Sequence, residues 1–368
     1  QSLALNYKLP FQYVPFLSFI DATYNYTGNF NWQRGSEALA GVTSEEGTKL
    51  GLVNMIQNNN TKTITGALSF AKLYSALGLK SNKSRFRTNV NIVKAKDSTA
   101  KKTTIFKKSI TKVVDVLTSI KRIQASYNEN NGNVLPGYLP SVGFAGGLRP
   151  TLGYTLGSQA DIRYEAARQG WLTEFPNFNQ LYTQLRSNKF KASAQLVPIK
   201  GLIIDFNAER DFTENQMENF RVENKGYFPQ NTNILGNFGM STILLKTAFS
   251  PSKSSASINF EKFREYRNII ARRLVENSGF IGLGDDEEGY PLGFGKNQQA
   301  VLLHSFIAAY SGLDPTRIEL NPIKTTPLPN WNLKFTGLTD IKSLSKIFNR
   351  LSINHAYRAS YTLTNFQS

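Results

Sequence analysis

The chain has 368 residues, of which 12% are aromatic and 19% charged, and its mean hydropathy is −0.32. It contains no cysteine, which excludes disulfide frameworks, thiolate metal sites and cysteine nucleophiles, and its net charge is +17. No window reaches the roughly 18 uncharged apolar residues of a transmembrane helix. QSLALNYKLP, the first ten residues, shows neither a starting Met nor a signal peptide, so we expect a piece of a longer protein.

Residues 20–33 alternate between apolar and polar side chains almost without a break. Period-two alternation is typical of a strand with two different environments on its faces. One face of this predicted strand carries Tyr24, Tyr26, Phe30 and Trp32, and the other carries Asp21, Asn25, Asn29 and Asn31.

Similar alternation recurs along the chain and predicts an all-β architecture with insertions. The further predicted strands are 2–10, 60–70, 119–127, 189–196, 202–212, 236–249, 331–338 and 351–366. Strands of 8 to 10 residues, tilted near 40°, span roughly the 25 Å apolar band of an outer membrane. The lengths, and aromatic residues near the ends of the apolar faces, favour a transmembrane β-barrel over a soluble sandwich.

The connections fall into two classes, as they do in outer-membrane barrels. Residues 9–19 and 197–201 read as short turns, whereas 34–59, 130–187 and 214–236 read as long loops. Helical spacing predicts packed insertions at 106–120, 258–276 and 297–312. The predicted organisation is therefore strands in 1–80, 119–249 and 331–368, separated by insertions at 81–118 and 250–330.

A basic segment gives the sequence much of its charge. Residues 80–122 contain 13 Lys or Arg against Asp97 and Asp115. Such a run binds nucleic acid or anionic lipid in some proteins and is a solvated linker in others. No nucleic-acid-binding motif accompanies it, so we favour the linker and expect no nucleic-acid partner.

The sequence contains few residues in a pattern that could form a catalytic or metal-binding site. The two histidines, His304 and His355, lie in a predicted helix and a predicted strand, and both read as packed or hydrogen-bonded residues. The acidic stretch GLGDDEEG (282–289) does not have the spacing of a calcium loop. We therefore expect no enzyme activity, no catalytic residues, no cofactor and no metal.

Several segments outside the regular strands together resemble one protein family. They are NENNGNVLPGYLPSVGF (128–144), LGSQADIRYEAARQGWLT (156–173), ENFRVEN (218–224), EKFREYRNIIARRL (261–274), PLPNWNLKFTGL (327–338) and INHAYRASYTLTNFQ (353–367). In this order they resemble the SprA family, called Sov in some species, the outer-membrane translocon of the Bacteroidota type IX secretion system. The similarity covers nearly the whole chain and is weakest over 81–108.

The resemblance implies an exceptionally large single-chain β-barrel in the bacterial outer membrane, of which this chain would be one arc. It implies passage of folded proteins with C-terminal secretion signals, and a link to gliding motility. The implied partners are a smaller PorV-type barrel, a periplasmic plug protein, secreted cargo and membrane lipids. A secreted adhesin-like domain and a nutrient-transporter barrel remain the alternatives.

The resemblance also assigns an environment to each face of the predicted strands. The residues expected to face lipid or a membrane partner are Tyr24, Tyr26, Phe30, Trp32, Leu202, Ile204, Phe206, Tyr357 and Tyr361. The residues expected to line the lumen are Asp21, Asn25, Asn29, Asn31, Asp205, Asn207 and Arg358.

Counting crossings raises one difficulty. The strands 237–249 and 331–338 are both expected to run toward the periplasm, so 250–330 would have to climb back between them. We favour a helical constriction in the lumen for this segment over a hidden strand.

Overall fold

The structure is a computed structural model that describes residues 1–14, 17–38, 40–45, 47, 49–76, 119–141, 149–253, 256–279 and 284–367. The described strands are β1 (Ser2–Lys8), β2 (Ile20–Gln33), β3 (Asn54–Ser69), β4 (Ile120–Tyr138), β5 (Tyr182–Leu196), β6 (Leu202–Glu223), β7 (Gly226–Ser241), β8 (Ser252–Lys253), β9 (Ala256–Ser257), β10 (Asn330–Phe335), β11 (Ile353–Tyr357) and β12 (Ser360–Gln367). The described α-helices are α1 (Phe70–Ala76), α2 (Leu152–Thr155), α3 (Arg163–Arg168), α4 (Leu245–Ala248), α5 (Ile258–Ser278), α6 (Gln299–Ser311) and α7 (Lys342–Ser345).

Ten of the strands form one mostly antiparallel sheet, which confirms the expected β architecture. β1 to β6 follow one another in chain order across this sheet. The sheet is open, with β1 at one edge and β11 and β12 at the other. By contact density the described chain divides into two units, the first made of residues 1–239, 331–357 and 362–368 and the second of 240–330 and 358–361.

Five strands, β3 to β7, are longer than the sequence pattern predicts. β4 continues to Tyr138, β5 begins at Tyr182, and β6 has 22 residues. The predicted loop 214–236 is wrong: a two-residue turn at Asn224 and Lys225, both with positive φ, joins β6 directly to β7. Positive φ at both central residues is the mark of the tight hairpin turn that matches the twist of its strands.

The predicted loops 34–59 and 130–187 are correspondingly too long, because residues 54–59, 130–138 and 182–187 lie in strands. These stretches are rich in Asn and Gln, and apolar alternation alone misses them. Their side chains pair across the sheet instead: Asn29 donates to Asn59 at 2.9 Å, and Asn131 donates to Asn60 at 3.5 Å.

One crossing of the sheet is broken into two strands. β6 pairs with β5 along one edge, so β7 and β10, which both pair with β6, share its other edge. β7 and β10 have 16 and 6 residues, which together match the 22 residues of β6. On their far side β7 pairs with β12 and β10 pairs with β11.

The broken crossing corrects the count made from the sequence. The predicted strands 237–249 and 331–338 are two halves of one crossing, and the first half ends at Ser241, since residues 245–248 are helical. The premise that forced 250–330 to climb back between two crossings therefore falls away.

A segment of the β4–β5 connection, residues 149–181, packs on one face of the sheet, and we call it the cap. Its buried side chains form one hydrophobic core with side chains from β2 to β7. This core consists of Phe30, Ile56, Leu135, Tyr138, Tyr154, Ile162, Ala166, Ala167, Leu172, Tyr182, Phe220, Val222 and Tyr227.

The second unit is built on two helices. α5 and α6 confirm the helices predicted at 258–276 and 297–312. Ile270 of α5 packs with Ala308 of α6 and with Ile318, and the Arg273 guanidinium donates to the carbonyl oxygens of Pro315 and Ile318 at 2.7 and 2.9 Å. In the described part of the chain no helix is both long and apolar enough to cross a membrane. The helix predicted at 106–120 and the basic segment 81–118 lie outside the described residues.

Candidate functional site

The two faces of the sheet from β1 to β6 are the candidate site, because the strand register places apolar side chains on one face and polar side chains on the other. Successive side chains of a strand point to opposite faces, and directly paired residues share a face. Ile20 of β2 pairs with Leu68, and this row continues through Ile123 and Ala194 to Phe206 of β6. We call the face with this row the apolar face and the opposite one the polar face.

The register places the residues singled out from β2 and β6 as alternation predicts. The apolar face carries Tyr24, Tyr26, Phe30, Trp32, Leu202, Ile204 and Phe206. The polar face carries Asp21, Asn25, Asn29, Asn31, Asp205 and Asn207.

Four successive rows of the apolar face form a band without a charged side chain from β2 to β5. The rows begin at Ile120, Ile20, Ala22 and Tyr24. They contain Ile120, Leu196 and Ile204; Ile20, Leu68, Ile123, Ala194 and Phe206; Ala22, Gly66, Ala125, Ala192 and Ala208; and Tyr24, Ile64, Tyr127, Phe190 and Arg210. At about 3.3 Å per residue the four rows span about 20 Å along the strands.

Large side chains of this band are exposed to an extent that water-soluble proteins seldom leave uncovered over a contiguous patch. Ile64 is 46% exposed and Tyr127 36%, and Tyr7, which pairs with Tyr24 at the edge of the sheet, is 51% exposed. The band therefore requires an apolar environment or an apolar partner surface.

A polar row ends the band. Beside Ile64 and Tyr127, on the same face, the Lys62 ammonium contacts the Glu129 carboxylate at 3.0 Å. Beyond this pair come Asn60 and Asn131, and then Asn58 and Asn133. On β3 and β4 the change from apolar to polar takes place between two adjacent rows, whereas the Lys62 row still carries Leu5 on β1 and Tyr26 on β2.

The cap covers the apolar face beyond that polar row. Asn60 donates to the carbonyl oxygen of Gly157 at 2.7 Å, Asn58 donates to that of Ser158 at 2.8 Å, and Asn58 also donates to Tyr154. The Tyr154 hydroxyl donates to Asn133, and burial raises the pKa of Tyr154 far above its ordinary value. Sequence analysis missed these contacts, although the Asn residues at alternate positions in 58–60 and 131–133 were their signal.

These contacts correct the environment expected for Phe30 and Trp32. Phe30 is 4% exposed and its ring packs edge-on against Tyr154, with centroids 5.9 Å apart. The Trp32 indole donates to the carbonyl oxygen of Pro140 at 3.4 Å. Both side chains meet their own chain rather than lipid or a partner, since the strand continues past the band and under the cap.

A buried ion pair fixes the cap at its other end. The Arg163 guanidinium donates to the Glu218 carboxylate at 2.7 Å, and 12% and 4% of these two side chains are exposed. Glu218 also accepts hydrogen bonds from Tyr227 at 2.7 Å and Thr232 at 3.0 Å. Arg163 further contacts Asp161 at 2.8 Å.

The pKa of Asp161 follows from this contact. Burial on its own raises the pKa of Asp161, but hydrogen bonds from Arg163 outweigh burial and hold the pKa below its ordinary value. The same pair raises the pKa of Arg163, so both groups are ionised at neutral pH.

The remaining residues singled out from the sequence lie in the last two strands. Tyr357 of β11 stacks on Trp331 of β10 with ring centroids 4.5 Å apart. Arg358 lies in the break between β11 and β12, and Tyr361 lies in β12. Arg358 is exposed.

The two histidines differ in their surroundings. His304 is buried in α6 and its Nδ1 lies 2.7 Å from the carbonyl oxygen of Ala300, whereas His355 is exposed on β11. Among the described residues, no group of three or more His, Asp or Glu side chains is arranged to hold a metal ion.

Comparison with known proteins adds no relative. No protein-family profile matches the chain, and no curated protein matches it.

Proposed function

We propose that this chain is part of the wall of a protein-conducting channel in the bacterial outer membrane. The observation that carries the proposal is the sheet from β1 to β6, with an exposed apolar band on one face and only hydrophilic or small side chains in the matching rows of the other. A barrel wall between lipid and water needs this division. An adhesin domain in water would leave an apolar band about 20 Å tall in contact with solvent, which water-soluble proteins seldom do.

In the proposed barrel the band contacts lipid, and the Lys62–Glu129 pair lies at the membrane surface. The open edges at β1 and at β11 and β12 pair with further strands of the wall, because a sheet in lipid has to leave no edge unpaired. The cap then lies on the outside of the wall, above the membrane, since it packs on the same face as the band.

The cargo and partners come from the resemblance to the SprA family. We propose transport of folded proteins with C-terminal secretion signals, in an assembly with a PorV-type barrel and a periplasmic plug protein. In this proposal the chain has no enzymatic role, and the assembly supports gliding motility.

A matched pair of substitutions tests the wall. Ala125 and Ser126 are adjacent on β4, similar in size, partly exposed and on opposite faces. In the full-length protein, Ala125→Arg should destabilise the folded barrel by about 2–4 kcal/mol because it places a charge near the middle of the lipid-facing band, while Ser126→Arg should be tolerated. The measurement is the amount of folded, protease-resistant protein in the outer membrane.

Function is tested with the same variants. A strain that lacks the protein should fail to secrete a reporter with a C-terminal signal, and Ser126→Arg should restore secretion where Ala125→Arg does not. Equal behaviour of the two variants would remove the assignment of faces. Extraction into buffer without detergent would favour the adhesin alternative, and loss of nutrient uptake without loss of secretion would favour the transporter alternative.

A further inference from the structure

On the polar face of β1 to β6, positive and negative side chains are equal in number, whereas the whole chain has an excess of positive charge. Five rows of this face, from the row of Asp21 to the row of Asn29, are defined by the register of the six strands. They contain Asp21, Ala67, Gln124, Ser193 and Asn207; Lys8, Thr23, Thr65, Ser126, Lys191 and Glu209; Asn6, Asn25, Thr63, Asn128, Lys189 and Asp211; Ala4, Thr27, Thr61, Asn130, Ser187 and Thr213; and Ser2, Asn29, Asn59, Gly132, Leu185 and Asn215.

The charges in these rows cancel and are paired. Lys8 contacts Asp21 at 3.5 Å, Lys189 contacts Asp211 at 3.0 Å, and Lys191 contacts Glu209 at 3.4 Å. Three positive and three negative groups leave this surface neutral, although the whole chain carries +17. The excess positive charge of the chain therefore lies outside these rows.

Ten of the uncharged polar residues are also partnered within the sheet. Thr23 and Thr65 share a hydrogen bond of 2.5 Å, and Asn128 donates to Thr63 at 2.8 Å. Similar cross-strand bonds join Asn29 to Asn59, Thr61 to Asn130, and Ser187 to Thr213. Such pairs stabilise the sheet and use donors and acceptors that a passing polypeptide would otherwise bind.

We infer that the polar face is a low-adhesion surface past which proteins of either net charge slide. Channels that select by charge line their pores with rings of one sign, and a peptide-binding groove offers unpaired polar groups. The five rows contain no ring of one sign, and their six charged groups and ten of their uncharged polar residues already have partners within the sheet. The inference rests on the proposed function and names its cargo class: proteins of either net charge, which are selected at a site other than this wall.

The test uses the full-length protein in its native membrane and two folded reporters that share one C-terminal signal but differ in net charge, one acidic and one basic. The wild type should secrete both at similar rates. Lys189→Gln with Lys191→Gln leaves Glu209 and Asp211 without their cations. The basic reporter should then be secreted about fivefold more slowly, the factor that corresponds to one exposed ion pair with the wall.

Two further variants complete the test. Lys189 also contacts Glu209 at 3.4 Å, so the control exchanges all four charges, with Lys189→Asp, Lys191→Glu, Glu209→Lys and Asp211→Lys. This variant keeps every contact between opposite charges, keeps the face neutral and should behave as the wild type. Asn25→Lys with Asn128→Lys adds two cations and should slow the acidic reporter instead, which keeps the test open if the first variant does not fold. The amount of each variant in the outer membrane is measured alongside.

The outcomes separate the inference from the proposed function. A wild type that strongly prefers one reporter, or charged variants that secrete both reporters equally, would overturn the low-adhesion surface while leaving the channel in place. Secretion of both reporters without this protein would instead overturn the channel.

Discussion

The phenol of Tyr26 donates a hydrogen bond to the carbonyl oxygen of Leu156 at 2.8 Å, which ties the upper border of the apolar band to the cap. The two residues are 130 positions apart in the chain. We expect Tyr26→Phe to weaken cap docking by about 1 kcal/mol, which corresponds to roughly fivefold faster amide exchange in residues 154–158. Hydrogen exchange measures this effect, and Tyr24→Phe, one row further into the band, is the control. Unchanged exchange in Tyr26→Phe would mean that the bond does not hold the cap.

The close approach of the cap to β2 depends on a glycine. A Cβ added at Gly28 would lie 2.2 Å from the Leu156 carbonyl oxygen, whereas one at Gly66, on the same face of β3, would meet nothing within 4 Å. Gly28→Ala should therefore displace the cap backbone and expose it to proteolysis, and Gly66→Ala should not. Equal protease sensitivity of the two variants would contradict this geometry.

The buried Arg163–Glu218 pair should show strong coupling. Arg163→Met leaves the Glu218 carboxylate buried without its cation, and loss of one partner of a buried pair costs about 3–5 kcal/mol. Glu218→Gln added to Arg163→Met removes the uncompensated charge and should recover part of this loss. Denaturant unfolding of the wild type, both single variants and the double variant measures the coupling. Additive effects would show that the pair contributes no specific interaction.

The stability of cap docking should depend on pH only in the acidic range. Because the pKa of Asp161 is lowered in the folded protein, its ionised form stabilises the cap at every pH above the ordinary value of 3.8. This stabilisation should be constant from pH 8 to pH 5 and lost as the pH falls through the lowered pKa. Protease sensitivity of the cap against pH measures it. Asp161→Asn should flatten the profile below about pH 4, and an unaltered profile would assign the effect to another group.

Local alternation predicts the part of the fold in which one face is apolar. It predicts the bounds of β2 and the beginning of β6 because Tyr24 and Phe206 alternate with Asn25 and Asn207. It fails in the far halves of β3, β4 and β6, where cap contacts and cross-strand pairs replace apolar burial. The side chains of Asn58 and Asn60 are buried by their hydrogen bonds to the cap, but asparagine is a residue type that indicates a loop.

Long-range relationships account for the other failures. Arg163 and Glu218 lie 55 residues apart, and neither carries a local signal of the other. The broken crossing is hidden for the same reason, since β7 and β10 read as two strands until their shared partner β6 is known. The resemblance drawn from the loop segments implies an expected function but none of these pairings.

The broken crossing leads to the last prediction, that the sheet does not need residues 243–328 to form. The chain leaves β7 after Ser241 and returns nearby, because the Leu328 N–H donates to the Ser241 carbonyl oxygen at 3.0 Å. Replacing 243–328 with a short Gly/Ser linker should keep β10 paired with β11, since closing a shorter loop between these points costs less chain entropy.

Asn332 and Ala356 lie directly opposite each other in that pair, and the chain has no native cysteine. A disulfide between Asn332→Cys and Ala356→Cys should therefore form in the deletion variant as it does with the insertion present. An offset pair, Asn332→Cys with Asn354→Cys, is the control for non-specific oxidation. Loss of the directly opposed disulfide only in the deletion variant would show that the insertion itself holds β10 in register.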